Sequence, residues 1–108
     1  MAKTPIPKRL REARKRAKLS QANLGVTAGM DPSGASARMN QYERDTHVPD
    51  YQTLKRIADV LETPVPYFYA EDDLLAEVIL LLGELEPMAL ASIRDELAQM
   101  VAQQATEP

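Results

Sequence analysis

A chain of 108 residues that is 44% hydrophobic and 27% charged has material for one modest core and is too apolar for a disordered tail. With no cysteine it offers neither a disulfide framework nor a thiolate metal site, and the cytoplasm is its expected compartment. The formal charge of -3 hides a split: Met1 to Arg56 hold twelve Lys/Arg against five Asp/Glu (+7), and Ile57 to Pro108 hold one against eleven (-10), which points to a polyanionic partner for the first half alone.

The basic N-terminus, "MAKTPIPKRLREARKRAK", has no apolar stretch behind it, so no secretory signal is expected. Repeats and alternating β-branched runs are absent, and an all-α chain is predicted. Leu10, Ala13 and Ala17 recur at helical spacing among Lys8, Arg9, Arg11, Lys15 and Arg16, giving a first helix from about Pro7 to Lys18. Ser20 is a good N-cap for a short second helix that buries Leu24 and Ala28, and Gly29 closes it. In "DPSG", Asp31 or Ser33 is a candidate cap and Pro32 a first-turn residue for a third helix whose inward stripe is Ala35, Met39 and Tyr42. Asp50 caps a fourth helix with Leu54, Ile57, Ala58 and Leu61 inside. Then "TPVPYFY" predicts a Pro-started turn of helix whose Tyr67, Phe68 and Tyr69 plug the bundle, with a boundary near Ala70.

The outward face of the third helix carries Ser36, Ala37, Asn40, Gln41 and Arg44. Small residues followed by amides and a guanidinium suit the floor of a DNA major groove: Asn and Gln can bond adenine, Arg can bond guanine, and small side chains allow close approach. An acid there would repel phosphates. A basic first helix, a short capped second helix, a turn and such a third helix form the helix-turn-helix order. The basic segment Lys3 to Arg9, including Lys8 and Arg9, is expected to reach phosphates, adding salt-dependent affinity without reading sequence; Arg38 and Thr46 beside the reading face are assigned to phosphates too.

"RLREARKRAK", "LSQANLGVTAGMD" and "ARMNQYERDTHVPDYQTLKRIADVLETPVPYFY" together resemble the lambdoid-repressor, or XRE-family, helix-turn-helix domain over about Ile6 to Tyr69. The resemblance implies a five-helix DNA-binding domain in which Gln21 clamps a phosphate and Ser36, Ala37, Asn40 and Gln41 face the groove with Arg44 at the far end. It also implies a structural ion pair between Arg14 and Glu43. Three departures stand out: Gly29 to Glu43 is longer than the compact pattern, and Asp45 and Glu62 stand where the family often has Gly.

Beyond Ala70, Leu74, Leu75, Val78, Ile79, Leu82 and Leu85 mark one helix, and Leu90, Ile93, Leu97, Met100 and Val101 another. Joined at Glu86 and Pro87, they make a two-helix hairpin. The chain thus divides into a DNA-binding domain, 1–70, and an acidic helical hairpin, 71–108, whose uncovered stripes suit homodimerisation, and a two-fold dimer would meet a palindromic operator. No stretch approaches membrane-spanning length, and no catalytic motif, metal site or cofactor site is present. The expected function is a dimeric transcriptional regulator, most simply a repressor, binding double-stranded DNA; an antitoxin-like or other protein-interaction module using the acidic helices is the alternative.

Overall fold

The computed structural model describes residues 4–106, and every regular element among them is helical. Six α-helices follow in order: α1 (Ile6–Arg16), α2 (Gln21–Thr27), α3 (Ala35–Glu43), α4 (Tyr51–Val60), α5 (Asp73–Gly83) and α6 (Pro87–Thr106), with a 3-10 turn, Val65–Tyr69, between α4 and α5.

Side-chain caps begin three of them. Ser20 accepts from the Asn23 N–H at 3.0 Å, Asp50 from Thr53 at 2.8 Å, and Asp72 from Leu74 and Leu75 at 2.7 and 3.2 Å, each relieving a donor that the helix leaves without a carbonyl. The expected cap on α3 is not made. One carboxylate oxygen of Asp31 accepts from both the N–H and the hydroxyl of Ser33, at 2.8 and 2.7 Å. The Gly34 N–H bonds the Asp31 carbonyl at 3.0 Å, so "DPSG" closes a turn of its own and Gly34 takes the N-cap position without a side-chain bond. The local Asx turn has outcompeted capping, and the link from α2 to α3 lengthens accordingly.

The first four helices end alike, each with a left-handed residue: Lys18 (φ 59°), Gly29 (φ 99°), Asp45 (φ 63°) and Glu62 (φ 50°). The following N–H then reaches back five residues, from Leu19 to Arg14, Met30 to Gly25, Thr46 to Gln41 and Thr63 to Ala58, at 2.9–3.2 Å. These are Schellman closures. Asp45 and Glu62 therefore hold the conformation for which glycine is the usual choice.

Ile6 and Leu10 of α1, Leu24 of α2, Ala35 and Met39 of α3, Leu54 and Ile57 of α4, and Tyr67 and Phe68 of the 3-10 turn form one buried core. The last two rings meet edge to face, centroids 5.4 Å apart, a favoured aromatic geometry. Tyr69 departs from the expected plug and is exposed.

α5 has two apolar faces. Ala76 is buried and Ile79 and Leu80 pack against the core, while Leu74, Val78 and Leu81 face outward. The joint before α6 falls at the expected Glu86 and Pro87, yet α6 buries none of its residues. Its projection explains a radius of gyration of 16.6 Å, against about 13 Å for a compact chain of this length.

Candidate nucleic-acid interface

The candidate surface is built on α2 and α3, and their mutual approach depends on Gly25. A β-carbon there would stand 2.9 Å from Ala35 Cβ and 3.2 Å from the Ala35 carbonyl oxygen, so only glycine lets the start of α3 lie against α2. Sequence reasoning missed this residue, although a glycine inside a helix, where it weakens the element, signals a close approach.

With Ala35, Met39 and Tyr42 inward, helical geometry puts Ser36, Ala37, Arg38, Gln41 and Arg44 outside, all exposed, with Asn40 half-buried at their edge. The face displays amide and guanidinium groups and no carboxylate, because Glu43, the acid of α3, turns inward and is 4% exposed. Arg14 Nε and Nη2 donate to the two Glu43 carboxylate oxygens at 2.6 and 2.9 Å. This bidentate, largely desolvated pair holds the Arg14 guanidinium above its usual pKa, chiefly through the hydrogen bond to Glu43. Arg11 adds a bond to the Glu43 carbonyl at 3.3 Å. The Arg14–Glu43 pair thus ties α1 to the end of α3.

Gln21, first residue of α2, sits where it can serve both helices. Its amide nitrogen donates to Asn40 Oδ1 at 3.2 Å and to Glu43 Oε1 at 3.3 Å, so in the free chain those donors point across α3. The Thr46 hydroxyl donates to the Gln41 carbonyl at 3.0 Å, which closes the C-terminal end of α3 and leaves the Gln41 side chain exposed.

The basic residues expected to contact phosphate part company. Lys3 lies outside the described residues. Lys8 is exposed and paired with Asp73 at 3.0 Å. The assignment of Arg9 to a phosphate is overturned, since its residue is 2% exposed. Its Nε donates to the Ala70 carbonyl at 2.8 Å, its Nη2 to the Glu71 carbonyl at 3.2 Å, and its Nη1 pairs with Asp73 at 2.9 Å. The guanidinium also lies over the Tyr67 ring at 5.7 Å. The fork meets two carbonyls and the carboxylates of Asp73 and Glu12, so the buried guanidinium is engaged within its own chain. Charge runs around a helix do not reveal which member turns inward.

The family model for the helix-turn-helix domain matches residues 8–66. The chain is also similar to the crystal structure of the transcriptional regulator BswR, at 44% sequence identity and a TM-score of 0.75, over 91% of this chain and 93% of that one. No curated protein matches it significantly. Among the described residues no helix is long and apolar enough to cross a membrane.

Proposed function

The chain belongs to the helix-turn-helix family of transcriptional regulators, and on that premise we propose that it is a cytoplasmic, dimeric, non-catalytic repressor of the lambdoid (XRE) type that reads a palindromic operator with α3 in the major groove. The observation that carries this reading is the acid-free, amide-rich outer face of α3, held by the Arg14–Glu43 pair. In this reading Gln41 and Asn40 bond base edges, Arg44 reaches guanine or the adjoining backbone, and Ser36 and Ala37 let the start of α3 approach closely. Arg38, Thr46 and Gln21 flank that face and meet phosphates, fixing register without specifying sequence. Lys8 contributes at longer range, as part of the positive half of the chain.

The dimer reading rests on the other end of the molecule. Leu74, Leu81, Met88 and Val101 are each more than 60% exposed, and Leu82, Pro87, Leu90, Ala91, Ile93 and Leu97 line one open apolar groove. Contiguous apolar surface of that kind marks an interaction site, and a 20-residue helix with no buried residue and only Ile93 half-buried draws little tertiary stabilisation from its own chain. A second copy covering these faces about a two-fold axis sets two α3 helices one DNA turn, roughly 34 Å, apart.

Selection of duplexes from a random pool by the purified protein, followed by binding measurements with Gln41→Ala, tests the base-reading step. The variant loses about 1–3 kcal/mol on the selected duplex and becomes indifferent at one base pair. Unchanged affinity and preference would remove Gln41 from the reading face.

A further inference from the structure

α1 carries a buried or half-buried guanidinium near each end, and the two grip different parts of the protein. Arg14 holds Glu43 at the C-terminal end of α3. Arg9, five positions earlier and so about 7.5 Å along the axis, holds the Ala70 and Glu71 carbonyls and the Asp73 carboxylate. Those three residues are the joint from which α5 departs. Asp72, lying between them, caps α5.

The far end of α5 is pinned as well, because Gly83 lies against Pro64, where an added β-carbon would come within 3.0 Å of the proline ring. α5 is thus fixed at both ends to the body that bears α3, and its outward stripe of Leu74, Val78 and Leu81 has one orientation relative to the reading face. Continuous backbone through a short joint such as Ala70 to Asp72 would otherwise let a helix swing. Alongside the packing of Ala76, Ile79 and Leu80 on the core, what restrains the joint itself is the Arg9 fork, three of whose partners lie within four residues of chain, the fourth being Glu12 on its own helix.

We infer that Arg9 is a positioning residue for DNA recognition: by locking the joint between the 3-10 turn and α5, it sets the distance and angle between the two α3 helices of a dimer and hence the half-site spacing the protein accepts. The inference rests on the dimeric DNA-reading proposal above. Adjacent base pairs differ by 3.4 Å along the duplex and by about a tenth of a turn, so a rigid joint discriminates spacings that differ by a single pair. A loosened joint does not.

The test takes the full chain and the duplex it selects from a random pool. From that duplex come a series with the centre-to-centre half-site spacing changed by one or two pairs either way, and a single half-site. Wild type loses affinity by at least about tenfold when the spacing changes by one pair. Arg9→Lys keeps the charge and loses the fork; it is expected to bind the single half-site as wild type does and remain a dimer by sedimentation, while its discrimination between spacings falls below about threefold.

A folded Arg9→Lys with the wild-type spacing profile overturns the inference. If Arg9→Lys does not fold, Asp73→Ala decides: it removes an exposed partner of Arg9 and leaves the core intact. A flattened profile supports the inference and an unchanged one overturns it. A wild-type protein that selects a duplex yet shows no preference among spacings overturns the dimeric reading itself, an outcome distinct from every result with the variants.

Discussion

At the scale of single residues, backbone geometry separates positions that look alike in sequence. Gly29 has φ 99° and open space where a β-carbon would stand, so Gly29→Ala meets only the left-handed strain of an L residue and destabilises the protein by about 1 kcal/mol. Lys18 and Glu62 hold the same closing position on α1 and α4 with side chains attached. Replacing either by glycine relieves that strain and raises stability by about 0.5–1 kcal/mol, net of the added freedom of the unfolded chain. Urea unfolding of the three variants checks both signs at once; destabilisation by Glu62→Gly would show that this side chain does more for the fold than its conformation costs. That Asp45 and Glu62 stood at glycine-type positions was legible from the resemblance. That Lys18 did was not, because its place in the basic run suggested a continuing helix where the chain in fact turns.

Between elements, the decisive contacts are few and close. Gly25→Ala forces a β-carbon against the Ala35 side chain and backbone, and Ala35 is itself fully buried. The helices must part, with an expected loss of about 1–3 kcal/mol and of duplex binding beyond what the stability loss explains; Gly29→Ala, at similar instability, retains binding. The docking of α5 should respond to acid. Asp73 is held below the usual carboxylate pKa, first by the hydrogen bond from Lys8 and then by that from Arg9. Its stabilising effect is therefore complete above the ordinary carboxylate range and disappears as pH falls through the lowered value. Urea unfolding across a pH series should find Asp73→Asn less stable than wild type at neutral pH, the two curves converging in acid; parallel curves would mean that the carboxylate does not couple to folding.

Most helices were readable from periodicity and caps, with Ser20 and Asp50 placed correctly from the sequence. The start of α3 was not, because Asp31 could serve either as a cap or in an Asx turn, and only the geometry around Ser33 decides between them. Arg9 was the larger reversal: a guanidinium surrounded by other cations in sequence met carbonyls more than sixty positions away, a distance that local pattern cannot carry.

Across the whole molecule, charge and apolar surface divide the labour. From Glu71 onward nine carboxylates accompany one arginine, Arg94, and in the proposed reading this end is repelled by a duplex that attracts the basic half, so that the protein approaches DNA with α3 forward. The same end holds the uncovered apolar stripes, so the proposed self-association lies away from the phosphates. α5 and α6 are nevertheless unequal partners in it. α5 also covers the core through Ala76 and supplies Asp73 to Arg9, whereas α6 has no fully buried residue. A chain ended after Leu85 should therefore keep the body's fold and its weak hold on a single half-site while losing self-association. Affinity for a duplex with two half-sites then falls by roughly 10²- to 10⁴-fold, since the second contact no longer comes at the effective concentration that linkage provides. Sedimentation and titration of one-site and two-site duplexes measure the two losses separately. A truncated chain that stays dimeric would move the interface onto α5 alone, and one that stays monomeric yet binds both duplexes as wild type does would leave the acidic helices to some partner other than a second copy.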